Sequence, residues 1–314
     1  MNKLLIANRG EIAIRIARAA AELGINSLGI CSSDDQAALH NRKVDQSVTL
    51  TGTGAAAYLD GEQIIQVALA NGCDAIHPGY GFLSENAGFA RRCAEHKLTF
   101  VGPTPDQLTL FGDKTQARLL AQACGVPTIT GTDGDTSLAQ AEAFFAALPA
   151  GAQMLIKARA GGGGRGMRIV ETQAQIAKLL ERCKSEAKAA FGDDSVYVEQ
   201  LVPRARHIEI QIIGDGQDIC HLWERECSIQ RNHQKVIEIA PAPGLDPIMR
   251  QALIEAATTM AASASYQSLG TFEFLLDRDQ PEQFYFIEAN PRLQVEHTVT
   301  EAVTGVDLVQ TQLR

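Results

Sequence analysis

The sequence lacks the cysteine patterns that organise small secreted proteins and zinc sites. Its seven cysteines are odd in number and scattered, and they include no C-x-x-C pair, so they indicate neither a disulfide framework nor a metal centre. Buried free thiols in a reducing cytosol are the simplest interpretation. The seven are Cys31, Cys73, Cys93, Cys124, Cys183, Cys220 and Cys227.

Long apolar runs and a surplus of positive charge are absent too. No stretch approaches the roughly 20 apolar residues of a membrane span, and Asn8, Arg9 and Glu11 interrupt the N-terminal run before a signal peptide forms. Lysine and arginine total 28 against 37 acidic residues, and the net charge of −9 does not favour nucleic acid or anionic membranes. We therefore expect a soluble, cytoplasmic protein with no nucleic-acid or membrane partner. A small anionic ligand is not excluded, because it responds to the local field of its cleft.

The periodicity of the 314 residues predicts an α/β protein of about two domains. In the first hundred residues short apolar runs alternate with amphipathic helical patterns, which is typical of a doubly wound parallel sheet. A small α+β unit with glycines at a tip follows, and strand patterns after Arg206 predict a mostly antiparallel sheet beside a helix. Predicted strands cover 3–7, 27–31, 74–76, 99–101, 154–158, 168–170, 196–199, 207–213, 219–223, 235–240, 271–276 and 284–288. Predicted helices cover 11–23, 62–70, 86–95, 138–147, 173–190 and 247–265, with two more after Pro105.

These changes of pattern divide the chain. We predict an N-terminal unit over 1–112, a helical linker over 113–130, a lid over 131–202 and a C-terminal unit over 203–314. The polar run 130–135 is interpreted as a connection between units.

Two common phosphate-binding fingerprints are missing. The sequence contains no G-x-x-x-x-G-K-[ST], and the turn 8–11 has a single glycine, which argues against NAD binding there. A glycine run over 161–166, interrupted by Arg165, instead joins two predicted strands, and the segment 157–168 contains four cations and no acid. These cations are Lys157, Arg159, Arg165 and Arg168. Backbone N–H groups without side chains can fold closely over a polyphosphate, so we interpret this hairpin as a phosphate loop; a flexible tip with solvated charges is the alternative.

Acidic residues occupy two of the C-terminal strands. Glu288 and Asn290 are two residues apart and therefore share a face of their strand, and Glu273 joins them if the two strands pair. Two carboxylates and an amide oxygen suit Mg²⁺. The alternative is that a lysine or arginine neutralises Glu273, since burying an uncompensated acid costs several kcal/mol.

Further polar residues flank this predicted metal site. In the run 292–297 an arginine can hold a planar oxyanion, and a nearby carboxylate can accept its proton. His207 is either a donor to a ribose or phosphate or a structural histidine. The run 230–235 alternates as a strand would, with Gln230, Asn232 and Gln234 on one face and Arg231, His233 and Lys235 on the other, where three possible cations favour an anion.

Together these motifs resemble the biotin carboxylases, which are members of the ATP-grasp superfamily and components of acetyl-CoA, propionyl-CoA and pyruvate carboxylases. The resemblance covers nearly the whole chain in order, and its motifs are specific jointly rather than singly. The matching stretches are 6–12, 77–86, 112–114, 161–167, 230–236, 240–244 and 288–297.

The resemblance implies an ADP-forming ligase that carboxylates biotin. Bicarbonate attacks the γ-phosphate of ATP to give carboxyphosphate, which breaks down to CO₂ beside a deprotonated biotin. The implied cofactors are ATP and Mg²⁺ or Mn²⁺. The implied partners are bicarbonate, a biotinylated carrier domain or protein, and a carboxyltransferase component; a homodimer through the N-terminal helix, at Arg15 and Arg18, is a further expectation.

The resemblance also implies roles for individual residues. Arg292, Glu296 and Lys235 are the implied catalytic residues, with Glu296 as the base and Arg292 stabilising the developing charge. The implied bicarbonate-binding residues are Lys235, Arg292, Gln294 and Val295, and the implied metal ligands are Glu273, Glu288 and Asn290. The implied nucleotide-binding residues are Lys114, Lys157, Gly163, Gly164, Glu199, Gln200, Leu201, Val202, His207, Gln230, His233, Glu273 and Glu288.

The sequence departs from the family pattern at two points. Ala160 stands where many relatives have glycine, which we expect to alter loop freedom only. The chain stops at Arg314, whereas the family continues through a portion carrying an arginine that contacts biotin. We therefore expect a fragment with an incomplete C-terminal unit and weak or no turnover.

Two other functions remain open. One is another ATP-grasp ligase, such as a carbamoyl-phosphate synthase half that passes carboxyphosphate to ammonia. The other is a non-catalytic nucleotide-binding or assembly module. The runs 231–235 and 294–297 favour biotin over ammonia.

Overall fold

A computed structural model describes residues 1–159, 166–232 and 234–314, and the statements below concern these residues. The strands are β1 (Lys3–Ile6), β2 (Asn26–Cys31), β3 (Gln46–Thr49), β4 (Ala75–His77), β5 (Thr99–Phe100), β6 (Met154–Ala158), β7 (Met167–Val170), β8 (Val196–Gln200), β9 (Ala205–Asp215), β10 (Ile219–Arg231), β11 (Gln234–Ile239), β12 (Gln267–Asp277) and β13 (Phe284–Asn290). The α-helices are α1 (Gly10–Glu22), α2 (Gly54–Ala57), α3 (Gly61–Ala70), α4 (Ala87–Glu95), α5 (Pro105–Gly112), α6 (Lys114–Ala123), α7 (Leu138–Ala147), α8 (Ile176–Phe191), α9 (Pro247–Ser263), α10 (His297–Thr304) and α11 (Leu308–Leu313).

The N-terminal sheet is parallel and has the strand order β3-β2-β1-β4-β5. Leu4 and Ile6 of β1 belong to the apolar layer that contains α1, whereas Leu5 belongs to the layer that contains α3 and α4. Strands covered on both faces read as continuous apolar runs, which is why this sheet was recognisable from the sequence. The predicted doubly wound sheet is confirmed. Strand β3 had no prediction because its sequence, QSVT, contains no apolar run.

The lid contains the small antiparallel sheet β7-β6-β8. Helix α8 packs on it and ends where Gly192 adopts a left-handed conformation, with φ 78°. The polar run 130–135, interpreted above as a connection, instead follows the open side of β8. Thr132 N donates to Val198 O at 2.8 Å and Gln200 N donates to Thr130 O at 2.9 Å. The run therefore supplies the backbone pairing that this edge of β8 requires, and its polar side chains gave no sign of it.

The C-terminal sheet is antiparallel, with the order β11-β10-β9-β12-β13. Its apolar face, which includes Ile208, Ile210 and Phe272, packs against α9. Residues from the segment 113–130 join the same core through Ala117, Ala121 and Val126, so this predicted linker is packed against the sheet.

Strand β10 is longer than the predicted 219–223. Its register against β9 shifts between His221 and Glu224, and Trp223 adopts φ 62° there. Such a bulge interrupts the two-residue alternation of apolar and polar residues. The sequence pattern therefore ended at the bulge, although the strand continues beyond it.

The run 230–235 is not one strand, which corrects the prediction above. It comprises the end of β10, a turn that includes Asn232 at φ 53°, and the start of β11. Gln230 pairs directly with Lys235, so these two side chains share a face, whereas strand alternation placed them on opposite faces. His233 lies outside the described residues.

Helices α10 and α11 connect the C-terminal sheet to α1. Arg15 binds Glu301 at 2.9 Å and Asp307 at 2.7 Å, and Leu308 and Val309 enter the core of the N-terminal sheet. The Arg15 guanidinium, expected above at a dimer contact, thus has its partners within the chain. Arg18 is exposed.

All seven cysteines are free thiols. Cys220 is exposed and Cys124 is half-buried, so the expectation of burial is wrong for these two. Within the part of the chain that the structure describes, no helix is long and apolar enough to cross a membrane.

The aromatic cluster under the C-terminal sheet gives a test of the core. Phe272 is fully buried, with its ring 5.4 Å from that of Phe111 and 6.4 Å from that of Phe286. Phe272→Ala should lower the free energy of unfolding by about 3 to 5 kcal/mol, because it leaves a cavity. Urea denaturation measures the change. Ile248→Ala, at a residue 82% exposed, is the control, and an equal loss in both variants would contradict this core.

The link from α1 to α11 predicts a pH dependence. Burial raises the pKa of Asp307, but the Gln310 backbone N–H and the Arg15 guanidinium together lower it below its usual 3.8. The stabilisation that ionised Asp307 gives the folded state is therefore complete at pH values above its usual pKa of 3.8. It is lost as the pH falls through the lower pKa that Asp307 has in the folded state. Asp307→Asn retains an acceptor for the helix cap, so we expect a loss of about 0.5 to 1 kcal/mol at neutral pH. Urea denaturation should show this loss shrink in acid; an equal loss at both pH values would refute the assignment.

Candidate functional site

Two rows of polar side chains cross the C-terminal sheet on the face opposite its apolar core. They arise because directly opposed residues of neighbouring antiparallel strands project to the same side. The first row consists of Arg225, Glu209, Glu273 and Glu288, and the second of Gln211, Thr271 and Asn290. A continuous polar strip therefore spans four strands.

Strand β9 shows how the sequence produces this strip. Its residues alternate strictly over 207–212, H-I-E-I-Q-I, so the three isoleucines enter the apolar core and the three polar residues face the site. Glu209 is fully buried and Gln211 is nearly so. Alternation of this kind is typical of an antiparallel sheet with its polar face in water. In this sheet the polar residues Glu209 and Gln211 are buried instead.

The three predicted metal ligands lie on one face. Glu273 is directly opposite Glu288, and Asn290 Nδ2 donates to Glu273 Oε1 at 2.7 Å. Glu273 also binds Lys235 Nζ at 2.9 Å and His207 Nε2 at 2.6 Å. The alternative considered from the sequence, a Glu273 neutralised by a basic residue, is therefore what this structure shows.

Electrostatics keeps Glu273 ionised. Burial raises its pKa, but Lys235 and His207 hold it well below its usual range. Two carboxylates and an amide oxygen are ligand types that suit a hard cation such as Mg²⁺, although here Asn290 turns its amide nitrogen to Glu273 and its oxygen to Arg292. Glu288 lies 3.2 Å from Lys114 Nζ, so both carboxylates carry an ammonium partner in this structure.

Lys235 lies at the centre of the site and has three acidic partners. Its Nζ donates to Glu209 Oε2 at 2.5 Å, to Glu273 Oε1 at 2.9 Å and to Glu296 Oε1 at 2.7 Å. Burial lowers the pKa of Lys235, but the surrounding carboxylates raise it by more than burial lowers it. The side chain therefore stays charged. One ammonium thus holds together strands β9 and β12 and the residue before α10.

The predicted bicarbonate residues lie beside this lysine. Gln294 Nε2 donates to Glu273 Oε1 at 3.1 Å, and Arg292 Nη2 donates to Asn290 Oδ1 at 3.0 Å. Val295 is largely exposed. Burial raises the pKa of Glu296, but Lys235 lowers it below its usual value, so Glu296 is a carboxylate at neutral pH.

The segment 157–168 contains cations and no acid, but the cations that the structure describes there are paired with acids. This corrects the expectation of an unopposed local positive charge. Lys157 Nζ lies 3.0 Å from Glu199 Oε1, Arg159 binds Asp113 at 3.1 Å, and Arg168 binds Glu186. These acids come from outside the segment 157–168, so a local window could not show them. The glycines 161–164, which include Gly163 and Gly164, and Arg165 lie outside the described residues.

Four of the predicted nucleotide-binding residues lie at the end of β8 and directly after it. Glu199 is buried, while Gln200, Leu201 and Val202 are half-buried. Gln230 Nε2 lies 2.8 Å from His207 Nδ1, and the other ring nitrogen of His207 meets Glu273. His207 therefore contacts the predicted metal ligand Glu273 directly, and Gln230 is linked to Glu273 through His207.

Sequence reasoning missed four residues of this site. Glu209 and Gln211 were visible in the alternation of β9 but were not read as site residues. Arg225 follows the bulge in β10, which hid the strand that carries it. Glu85 lies in the loop after β4 and binds Arg292 Nε at 2.5 Å, a contact that only the folded chain creates.

The fold and the polar strip together define an ATP-grasp protein, the class in which a lid sheet and a larger antiparallel sheet enclose the site. Residues 113–314 match the family described as carbamoyl-phosphate synthase L chain, ATP binding domain, and residues 1–108 match biotin carboxylase, N-terminal domain. The chain is 49% identical over 315 residues to a biotin carboxylase of Nostoc, and the match covers 100% of this chain and 70% of that protein. The chain belongs to the biotin carboxylase family.

Other relatives are larger. The chain is 51% identical over 317 residues to a pyruvate carboxylase of Bacillus subtilis; the match covers 100% of this chain and spans only 27% of that protein. Two of the solved structures that match this chain with a TM-score of 0.94 are nucleotide complexes. One is a Campylobacter jejuni biotin carboxylase βγ-ATP complex, 43% identical, with 99% of this chain and 70% of that one covered. The other is the biotin carboxylase domain dimer of Hydrogenobacter thermophilus 2-oxoglutarate carboxylase with MgADP, ADP and bicarbonate, 41% identical, with coverage of 100% and 69%.

The charge cluster around Lys235 predicts a stability effect. Lys235→Gln removes the cation shared by three largely buried carboxylates and should lower the free energy of unfolding by about 3 kcal/mol or more. Urea denaturation at neutral pH measures the loss. Lys188→Gln, at a side chain 62% exposed, is the control and should change stability by less than about 0.5 kcal/mol. A Lys235 variant as stable as this control would contradict the cluster.

Proposed function

We propose that this chain is the biotin carboxylase part of a larger carboxylase and carries the residues for the ATP-dependent carboxylation of biotin by bicarbonate, with weak turnover in the chain as it stands. The observation that carries the proposal is the position of Glu273. Its carboxylate contacts Asn290 on the proposed metal side and Lys235 and Gln294 on the proposed bicarbonate side. One buried acid thus links the proposed metal-binding and bicarbonate-binding residues, an arrangement that would place the two reactants side by side, as phosphoryl transfer to bicarbonate requires.

The nucleotide is bound between the lid and the C-terminal sheet in this proposal. Lys114 and Lys157 exchange their carboxylate partners, Glu288 and Glu199, for phosphate oxygens. The glycine run folds over the polyphosphate, and the residues 199–202 with His207, Gln230 and His233 bind the nucleoside. Two ammonium groups in a largely buried cleft stabilise the charge that develops on the transferring phosphoryl group.

Bicarbonate is held by Lys235, Arg292, Gln294 and the backbone at Val295. Glu296 is ionised beside Lys235, so it accepts the proton of bicarbonate as an oxygen of bicarbonate attacks the γ-phosphorus. The bond from that phosphorus to the ADP oxygen breaks, and carboxyphosphate and ADP form. The C–O bond of carboxyphosphate then breaks to give CO₂ and phosphate. The phosphate accepts the ureido proton of biotin, and the deprotonated nitrogen attacks CO₂ while Arg292 stabilises the negative charge on the biotin ring.

The donor set described above fits a divalent cation. Glu273, Glu288 and Asn290 would hold Mg²⁺ or Mn²⁺, which when bound neutralises phosphate charge. Biotin on a carrier domain or protein and a carboxyltransferase component are the proposed partners, and a homodimer is proposed as the assembly. The unpaired cysteines support the cytoplasm as the compartment.

Glu296→Gln tests the proposed base. The variant should lose bicarbonate-dependent release of ADP by about 10²-fold or more, because the amide accepts no proton, while the Kd for MgADP changes less than twofold. Coupled spectrophotometry measures ADP and calorimetry measures the Kd. Glu255→Gln, at an exposed residue of α9, is the matched control.

Different outcomes separate the competing functions. Stimulation of ADP release by biotin supports the proposal, and stimulation by ammonia instead favours the carbamoyl-phosphate type of ligase. Binding of MgADP with no ADP release under either condition indicates a nucleotide-binding module.

A further inference from the structure

Arg225 is the largest fully buried side chain in the described residues. Its Nε donates to Glu209 Oε1 at 2.5 Å. Its Nη1 donates to Gln211 at 2.9 Å and to Thr300 at 2.8 Å, and its Nη2 donates to Thr271 at 3.3 Å and to Gln294 at 3.2 Å. All five N–H groups of the guanidinium are therefore used.

Two of these partners face the proposed bicarbonate site. Arg225 donates to Gln294 Oε1, which fixes the amide so that its Nε2 points to Glu273. Arg225 also occupies one oxygen of Glu209, which leaves the other oxygen for Lys235. The orientation of the Gln294 amide and the position of the Lys235 ammonium thus both depend on Arg225, which is itself fully buried.

We propose that Arg225 is a positioning residue for bicarbonate, acting through Gln294 and through Glu209 and Lys235; this inference rests on the proposed function. Stability alone is a weak reason for this side chain, because a buried ion pair is often no more stabilising than apolar residues of similar volume. The planar fork explains the choice of arginine. A lysine retains the charge beside Glu209 but offers three donors on a single atom and cannot reach Gln294, Thr300 and Glu209 together.

Arg225→Lys is the test. We expect the Kd for ¹³C-bicarbonate, measured by NMR titration in the presence of saturating MgADP, to rise about tenfold, as for the loss of one or two hydrogen bonds to charged groups. The Kd for MgADP, measured by calorimetry, should change less than twofold. A merely structural role would lower the melting temperature and leave the bicarbonate Kd unchanged.

Arg250→Lys is a matched control, because Arg250 lies in α9 and contacts the face of β10 opposite to Arg225. Arg250 binds the buried Glu224 at 3.0 Å, and Glu224 precedes Arg225 in β10. This variant should lower the melting temperature without changing the bicarbonate Kd.

Thr300→Val keeps the proposal falsifiable if Arg225→Lys does not fold. It removes one acceptor of the guanidinium from α10 and should raise the bicarbonate Kd about threefold, again with MgADP binding retained. If the unmodified chain binds bicarbonate and the folded variants bind it equally well, this inference is overturned alone. If the unmodified chain binds MgADP but not bicarbonate, the proposed function fails and the inference falls with it.

Discussion

The site depends on the balance between one ammonium and three carboxylates. Lys235 joins Glu209, Glu273 and Glu296, which come from separate elements and are all largely buried. Each acid is costly to bury alone, and the lysine makes their common burial possible. The same arrangement keeps Glu273 and Glu296 ionised, as their proposed roles require.

The three sheets have distinct parts in presenting this cluster. The antiparallel sheet carries the charged strip on one face and an apolar core on the other. The lid contributes Lys157, whose charge interacts with that of Glu288, and the loop after β4 of the parallel sheet brings Glu85 to Arg292. The site is therefore a product of the packing of all three units, and its members are scattered over more than two hundred residues of sequence.

Much of the fold was predictable because periodicity is a local property. The parallel sheet followed from its continuous apolar runs, and Glu273, Glu288 and Asn290 were correctly expected on one face. What failed was non-local or geometrically special: the bulge at Trp223, the turn at Asn232 that places Gln230 beside Lys235, and the acids that neutralise Lys157 and Arg159. The alternation of residue types predicts which face of a strand a side chain takes only while the strand is regular. It does not predict which residue of another helix or strand will pair with that side chain.

The pairing of Lys114 with Glu288 and of Lys157 with Glu199 has a consequence for a protein with a net charge of −9. In the proposed reaction the incoming polyphosphate replaces anions already in place, so its capture is an exchange of counter-ions. The displaced Glu288 would then be available to the proposed divalent cation. An acidic molecule can in this way accept a highly charged anion without maintaining a positive surface that would attract every other polyanion in the cell.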